Sequence, residues 1–172
     1  MTHLDNVLYV VCRESSTIRL YNTDSQSPLN VINVDGMKRP CDIVVCRDDR
    51  QLYIADWFCI WRVSVDDQSY VKWLTTDFYF WSLSLTSRRL LVTSLLLHQY
   101  NTTNRQLLRV VSMPQYMSEL YHGVETTRGT FVVGHLGTAV SRSQFAVSEL
   151  FSFVNSISEN LCASQYVHRV AQ

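Results

Sequence analysis

Aspartate is the first residue type whose placement invites a chemical reading. Asp42, Asp48, Asp49, Asp56, Asp66 and Asp67 fall within one stretch of the chain. Carboxylates are hard oxygen donors, so the pair Asp66-Asp67 has the atoms to ligate a divalent cation. These residues also lie beside or between short apolar runs, where Asp closes a turn by bonding nearby backbone. Turn formation is therefore the expectation, with no metal ligand among them. The histidines His98, His122 and His135 are well separated. Ser94 lacks a Gly-x-Ser-x-Gly elbow, and the five glycines form no phosphate-cradling loop. Five cysteines, Cys12, Cys41, Cys46, Cys59 and Cys162, are odd in number and contain no Cys-x-x-Cys pair. That predicts reduced, mostly buried thiols. No catalytic, cofactor-binding or metal site is expected, and the chain is not expected to be an enzyme.

Recognition chemistry has a better claim. Trp57, Phe58, Trp61, Trp73, Phe78, Tyr79, Phe80 and Trp81 are the densest aromatic set. Trp61 and Trp73 sit inside apolar runs and are expected to pack. Trp57-Phe58 and Phe78-Tyr79 fall between runs, where exposed aromatics act as interface anchors. Arg50, Arg88 and Arg89 lie in or beside polar turns. Together Trp57, Phe58, Phe78, Tyr79, Arg50, Arg88 and Arg89 are the candidate partner-binding residues. The competing reading is that the aromatics cap sheet edges.

The elements that must position these residues come in a repeat. From Pro40, four short runs follow one another: Ile43–Cys46, Leu52–Ala55, Ile60–Val65 and Tyr70–Leu74. They are rich in β-branched and aromatic residues and are separated by polar turns, which reads as four strands. The order recurs as Trp81–Leu85, Leu90–Ser94, Leu97–Tyr100 and Leu107–Val111, and begins again at Tyr121–Thr126 and Thr130–Gly134. An earlier copy, Val7–Cys12, Thr17–Asn22 and Asn30–Val34, lacks a first strand on this reading. The second-strand positions Tyr9, Tyr53, Leu91 and Val132 stand 44, 38 and 41 residues apart. A period near 40 with four strands per unit is a propeller signature. Runs such as Ile43-Val-Val and Leu52-Tyr-Ile-Ala are continuously apolar, as strands buried on both faces are. The chain is thus expected to be all-β and propeller-like, with about four blades of four antiparallel strands in an incomplete ring. The repeats occupy 1–140, at about 7–34, 40–75, 80–111 and 119–135. Residues 141–172 form a divergent tail in which 148–161 reads equally as strand or amphipathic helix.

Lys+Arg equals Asp+Glu at 15 each. A zero formal charge disfavours a large basic field for nucleic acid or anionic membrane. The longest apolar stretch, Leu90–Leu97, is interrupted by Thr93 and Ser94, far short of the roughly 18 residues that span a bilayer. The N-terminus Met1-Thr-His-Leu-Asp-Asn has neither the basic nor the apolar region of a signal peptide. A cytoplasmic location is the expectation.

The repeat resembles that of the NHL family. Pro40-Cys-Asp-Ile-Val-Val is similar to the Pro-x-Gly-Ile-Ala-Val first strand of that family, Leu52-Tyr-Ile-Ala-Asp56 to its Ile-Tyr-Val-Ala-Asp strand, and Ile60-Trp-Arg-Val to its Arg-Ile-x-Val-Phe strand. Where the family has Asn after Ala-Asp, this chain has Trp57-Phe58. The resemblance covers about residues 7–135. It implies a six-bladed propeller that binds protein or RNA, often joined to ubiquitin-ligase modules. Six blades need about 240 residues at this period, more than the 172 here. A piece of a longer product is expected, with self-association or an open arc as the alternatives. The resemblance implies a non-enzymatic protein-interaction scaffold, the substrate-recognition part of a larger ubiquitin-ligase-like protein. The alternatives are an RNA-binding propeller and a metal-dependent lactonase-like hydrolase. The last would use residues at the channel, where Asp56 and His135 hold equivalent positions. For Asp56, a hydrogen bond to the backbone of the next loop is the simpler expectation.

Overall fold

A computed structural model describes residues 1–112, 119–126 and 129–136. All regular elements among these residues are β-strands. The first sheet contains β1 (Thr2–Leu4), β2 (Val7–Val11), β3 (Thr17–Asn22) and β4 (Pro28–Asn33). The second contains β5 (Pro40–Cys46), β6 (Gln51–Asp56), β7 (Cys59–Ser64) and β8 (Tyr70–Thr75). The third contains β9 (Ser82–Thr86), β10 (Arg89–Thr93), β11 (Leu97–Asn101) and β12 (Leu107–Val111), and the fourth pairs β13 (Glu119–Glu125) with β14 (Phe131–Leu136). Each sheet is an antiparallel meander in sequence order. The result is an incomplete propeller-like β fold. The expected tail at 141–172, including 148–161, lies outside the described residues.

The first sheet corrects the sequence reading. It does not lack an inner strand: Thr2, His3 and Leu4 pair with Tyr9, Leu8 and Val7. Three residues with one apolar side chain carry too little pattern to be seen in sequence, and backbone pairing across a two-residue turn makes the strand. The cysteines are the second correction. All four described thiols are free, but only Cys46 is buried; Cys12 and Cys41 are exposed and Cys59 is half-buried. Cys12 lies just past the end of β2, in the connection to β3.

Three apolar cores lie between successive sheets. Leu4, Tyr9, Ile18 and Ile32 of the first sheet pack on Ile43, Leu52, Ile54 and Trp61 of the second. Tyr53, Ala55, Ile60 and Trp73 on the other face of the second sheet pack with Leu83, Leu90 and Val92 of the third. Leu91 and Leu97 then meet Leu120 and Val133. In β6 and β10, successive residues therefore enter different cores, and both strands are apolar without interruption for that reason. Trp61 and Trp73 are buried, as expected of packing residues, while Lys72 is exposed. The inner strands carry the contacts between sheets: β5 lies against β1 and β2, β9 against β5 and β6, and β13 against β9 and β10. No such contact joins the first and fourth sheets among the described residues, so the described arc is open.

A meander sends alternate connections to opposite ends. Turns 5–6, 23–27, 47–50, 65–69, 87–88 and 102–106 share one end, here the turn end. Connections 12–16, 34–39, 57–58, 76–81 and 94–96 share the other, the loop end.

Candidate interaction surface

The loop end is built on a single buried carboxylate. Asp56 closes β6 at 5% exposure. Its Oδ2 accepts from the Lys38 amide at 3.0 Å and from the Trp61 indole N–H at 3.0 Å, and its Oδ1 accepts from the Arg39 amide at 2.6 Å. The expected side-chain bond to loop backbone is present, but the loop is 34–39, which precedes its own sheet rather than following it. Asp56 thereby fixes that connection against the two-residue turn Trp57-Phe58.

That turn in turn holds the connection 76–81. The Thr76 amide donates to the Phe58 carbonyl at 2.9 Å, and the Phe80 amide to the Trp57 carbonyl at 2.8 Å. The Trp81 amide donates to the Thr93 carbonyl at 2.9 Å. Between these anchors the side chains of 78–81 alternate between core and solvent. Phe80 is buried in the core between the second and third sheets. Phe78 packs on that core from the same side, stacked 4.6 Å from the His98 ring and edge-on to Phe80 at 5.4 Å. Tyr79 and Trp81 point outward, at 45% and 43% exposure.

The outward rings form one patch. Phe58, 37% exposed, lies 4.3 Å from Tyr79 between centroids. Trp57 meets Tyr79 edge-on at 5.4 Å, and Tyr79 and Trp81 stack at 6.2 Å. The Arg39 guanidinium sits 4.2 Å over the Trp57 ring, a cation–π arrangement. Leu95, 71% exposed, stands at the same end in the connection from β10 to β11. Trp57 has φ of 51°. This first position of a two-residue hairpin ordinarily takes Gly, Asn or Asp, and a bulky side chain there costs about 1 kcal/mol or more. Asp5 and Ser87 hold the same positive φ at the two-residue turns 5–6 and 87–88, and Trp57, half-buried, is the aromatic member of the set.

The structure divides the residues nominated from sequence. Trp57, Phe58 and Tyr79 come together; Phe78 faces the core. Arg50, Arg88 and Arg89 lie at the turn end, at the opposite edge of the sheets, and each bridges one seam between sheets. Arg50 binds Asp5 of the first sheet at 3.0 Å and Asp66 of its own at 2.7 Å. Arg88 faces Asp49 across the second seam at 3.6 Å. Arg89, with Arg109, meets the buried Glu125 across the third, at 3.3 and 2.9 Å. Sequence reasoning missed Arg39, Trp81 and Leu95. Trp81 reads as the start of a strand, whereas the strand begins at Ser82 and leaves Trp81 in the loop. The spacing from Arg39 to Trp57 gives no local signal of their contact.

The two aspartates weighed as a cation-binding pair have structural partners. Asp66 is the Arg50 partner. The Asp67 carboxyl is held down to about 2 by the hydroxyls of Ser64 and Ser69 and the Ser69 amide. Among the described residues no three His, Cys, Asp or Glu side chains are placed to hold a metal. Near the axis, Asp42, Ser82 and His122 form a chain across three sheets, each 40 residues from the next. The Asp42 Oδ2 accepts from the Ser82 hydroxyl and the Leu83 amide, both at 2.8 Å, while Ser82 Oγ also meets His122 Nδ1. With the serine proton turned to the carboxylate, the imidazole donates to Oγ and does not act as its base. The order is Asp–Ser–His, whereas a hydrolytic triad needs the imidazole in the middle. The side chain of His135 lies outside the described residues.

No family model and no curated protein matches the chain. Solved structures do resemble it. Hydrazine synthase of Kuenenia stuttgartiensis aligns over 82% of this chain and 44% of its own, with a TM-score of 0.64 and 17% identity. The computationally designed Ika4 protein aligns over 79% of this chain and 89% of its own, with a TM-score of 0.57 and 11% identity. These likenesses concern fold. The chain spans less than half of the hydrazine synthase chain it matches. No helix among the described residues is long and apolar enough to cross a membrane.

Proposed function

We propose that this chain is a non-enzymatic protein-interaction scaffold of NHL-repeat type that binds a protein partner through the loop end. The observation that carries this reading is the patch of Trp57, Phe58, Tyr79 and Trp81, with Trp57 held at positive φ. Contiguous exposed aromatics beside a strained turn mark interaction sites, because folding alone gives no reason to keep them in water. The turn end offers the contrast: Arg50, Arg88 and Arg89, which were the candidates there, are taken up in bridges between sheets. The family resemblance adds that the partner would be a substrate presented to a ubiquitin-ligase module on a longer product.

The test is binding of a candidate partner to the wild type and to the double variant Tyr79→Ser, Trp81→Ser. Loss of central aromatic anchors should weaken binding about 30-fold or more, whereas Arg50→Ala should leave it within about twofold. Equal binding by the double variant would remove the loop end from consideration. Binding to single-stranded RNA that weakens steeply with salt would replace the protein partner with a nucleic acid stacking on the same rings.

A further inference from the structure

Below the seam between the second and third sheets, at the turn end, lies a pocket of about 300 Å³. It is far from the aromatic patch, and its lining is polar. Asp49 and Arg88 face each other at its rim, 3.6 Å apart, and largely cancel. Arg62, from β7, is the remaining charge. The residue is half-buried, and among the described residues its side chain has neither an ion pair nor a hydrogen bond. An arginine has five N–H donors and cannot shed its charge, so a side chain that finds no protein acceptor has all of them available to a ligand. The register that pairs Tyr53 with Arg62 places both on the face toward the third sheet.

We propose that this pocket binds a carboxylate, with the Arg62 guanidinium as its receptor. The charge count selects the class. Asp49 is offset by Arg88, which leaves one positive charge, and a singly charged carboxylate neutralises it. A phosphate dianion would leave excess negative charge beside Asp49. The planar fork of Arg62 matches the two carboxylate oxygens. Other donors surround the space. The Tyr53 hydroxyl, which also meets the Thr102 side chain, is pushed up to about 12 by burial and stays protonated at neutral pH. Thr103 adds a hydroxyl at the rim from the turn between β11 and β12. The volume exceeds that of a carboxylate alone and accommodates the carbon stem that bears one. Such a group is presented either by an acidic side chain or by a peptide C-terminus.

Titration of the whole chain, followed by NMR or calorimetry, tests this. The probes are N-acetyl-glutamic acid α-amide for a side-chain carboxylate, N-acetylglycine for a C-terminal one, and their uncharged amides as controls. Saturable binding of at least one acid at millimolar concentration is expected, with neither amide binding; the tighter acid identifies the source. Arg62→Gln should weaken it at least about tenfold, and Arg62→Lys, which keeps the charge but loses the fork, at least about threefold. Circular dichroism and melting confirm the fold of each variant, and if Arg62→Gln fails to fold, Arg62→Lys and the amide controls decide. The proposal is overturned if neither acid binds below about 10 mM, if the amides bind equally, if both folded variants bind as the wild type does, or if inorganic phosphate binds more tightly than either acid. None of these outcomes bears on the aromatic patch.

Discussion

Asp56 shows how much one side chain can organise. Three N–H donors converge on it, the amides of Lys38 and Arg39 and the indole of Trp61, and the Cys59 thiol adds a weaker contact at 3.7 Å. A carboxylate suits the site because both oxygens must accept. Asparagine is nearly isosteric, but its NH₂ would face either the Arg39 amide or the Lys38 and Trp61 donors. A buried donor left without an acceptor costs about 1–3 kcal/mol. Asp56→Asn should therefore destabilise the chain by about 2 kcal/mol, read from denaturant melts. Trp61→Phe removes only one of the three N–H donors and should cost less than Asp56→Asn. An unchanged midpoint for Asp56→Asn would mean that the connection 34–39 is held some other way.

Among the elements, the seams are where residues distant in sequence decide stability. Glu125, at the end of β13, has a side chain only 1% exposed. It accepts from Gln99 at 2.6 Å and from Arg109 at 2.9 Å, and Arg89 lies at 3.3 Å. Gln99 and Arg109 are themselves bonded at 2.8 Å, so β11, β12 and β13 share one polar network. Removal of the carboxylate strands the buried Gln99 amide and leaves two guanidinium groups without their counter-ion. The arginines are partly in water, which limits the loss. Glu125→Ala should cost about 2–3 kcal/mol, and Glu125→Gln, which keeps one acceptor oxygen, about half as much. The fourth sheet should loosen first, seen as faster amide exchange in β13 than in β5. Uniform exchange in all sheets would argue against a seam-localised effect.

At the scale of the whole arc, a pH dependence is expected from a histidine that faces a core. His98 is 8% exposed, stacked on Phe78, and burial holds its imidazole below the ordinary value of 6.5. The unfolded chain then takes up a proton at a higher pH than the folded one. The contribution to stability is complete above the unfolded value and is lost as pH falls from about 6.5 through the folded value. Melting temperature should decline between about pH 7.5 and pH 5, and His98→Phe, which keeps a stacking ring without a titrating group, should flatten that decline. An equal decline in the variant would assign the effect to other groups.

Much of the architecture is legible in the chain because it is local physics. Short β-branched and aromatic runs, turn residues between them and a period near 40 determine strands, meanders and a stack of like sheets. The unbroken apolar runs Leu52–Ala55 and Leu90–Val92 even report that both faces are buried. The two ends of the sheets were also open to reading: in a meander, the turn with Arg50 and the turn with Trp57 must fall on opposite edges, because one strand lies between them. Local pattern could not supply what depends on the approach of separate sheets. Phe78 turns inward and Tyr79 outward because Phe58 and Thr93 anchor the loop that carries them. The three arginines become bridges because the carboxylates that reach them belong to neighbouring sheets: Asp5 to Arg50, Asp49 to Arg88, Glu125 to Arg89. Sequence by itself determined the repeat and its strands apart from β1; only tertiary packing decided which exposed-looking residues were already engaged, since charge pairing and ring stacking act through space and carry no signature along the chain.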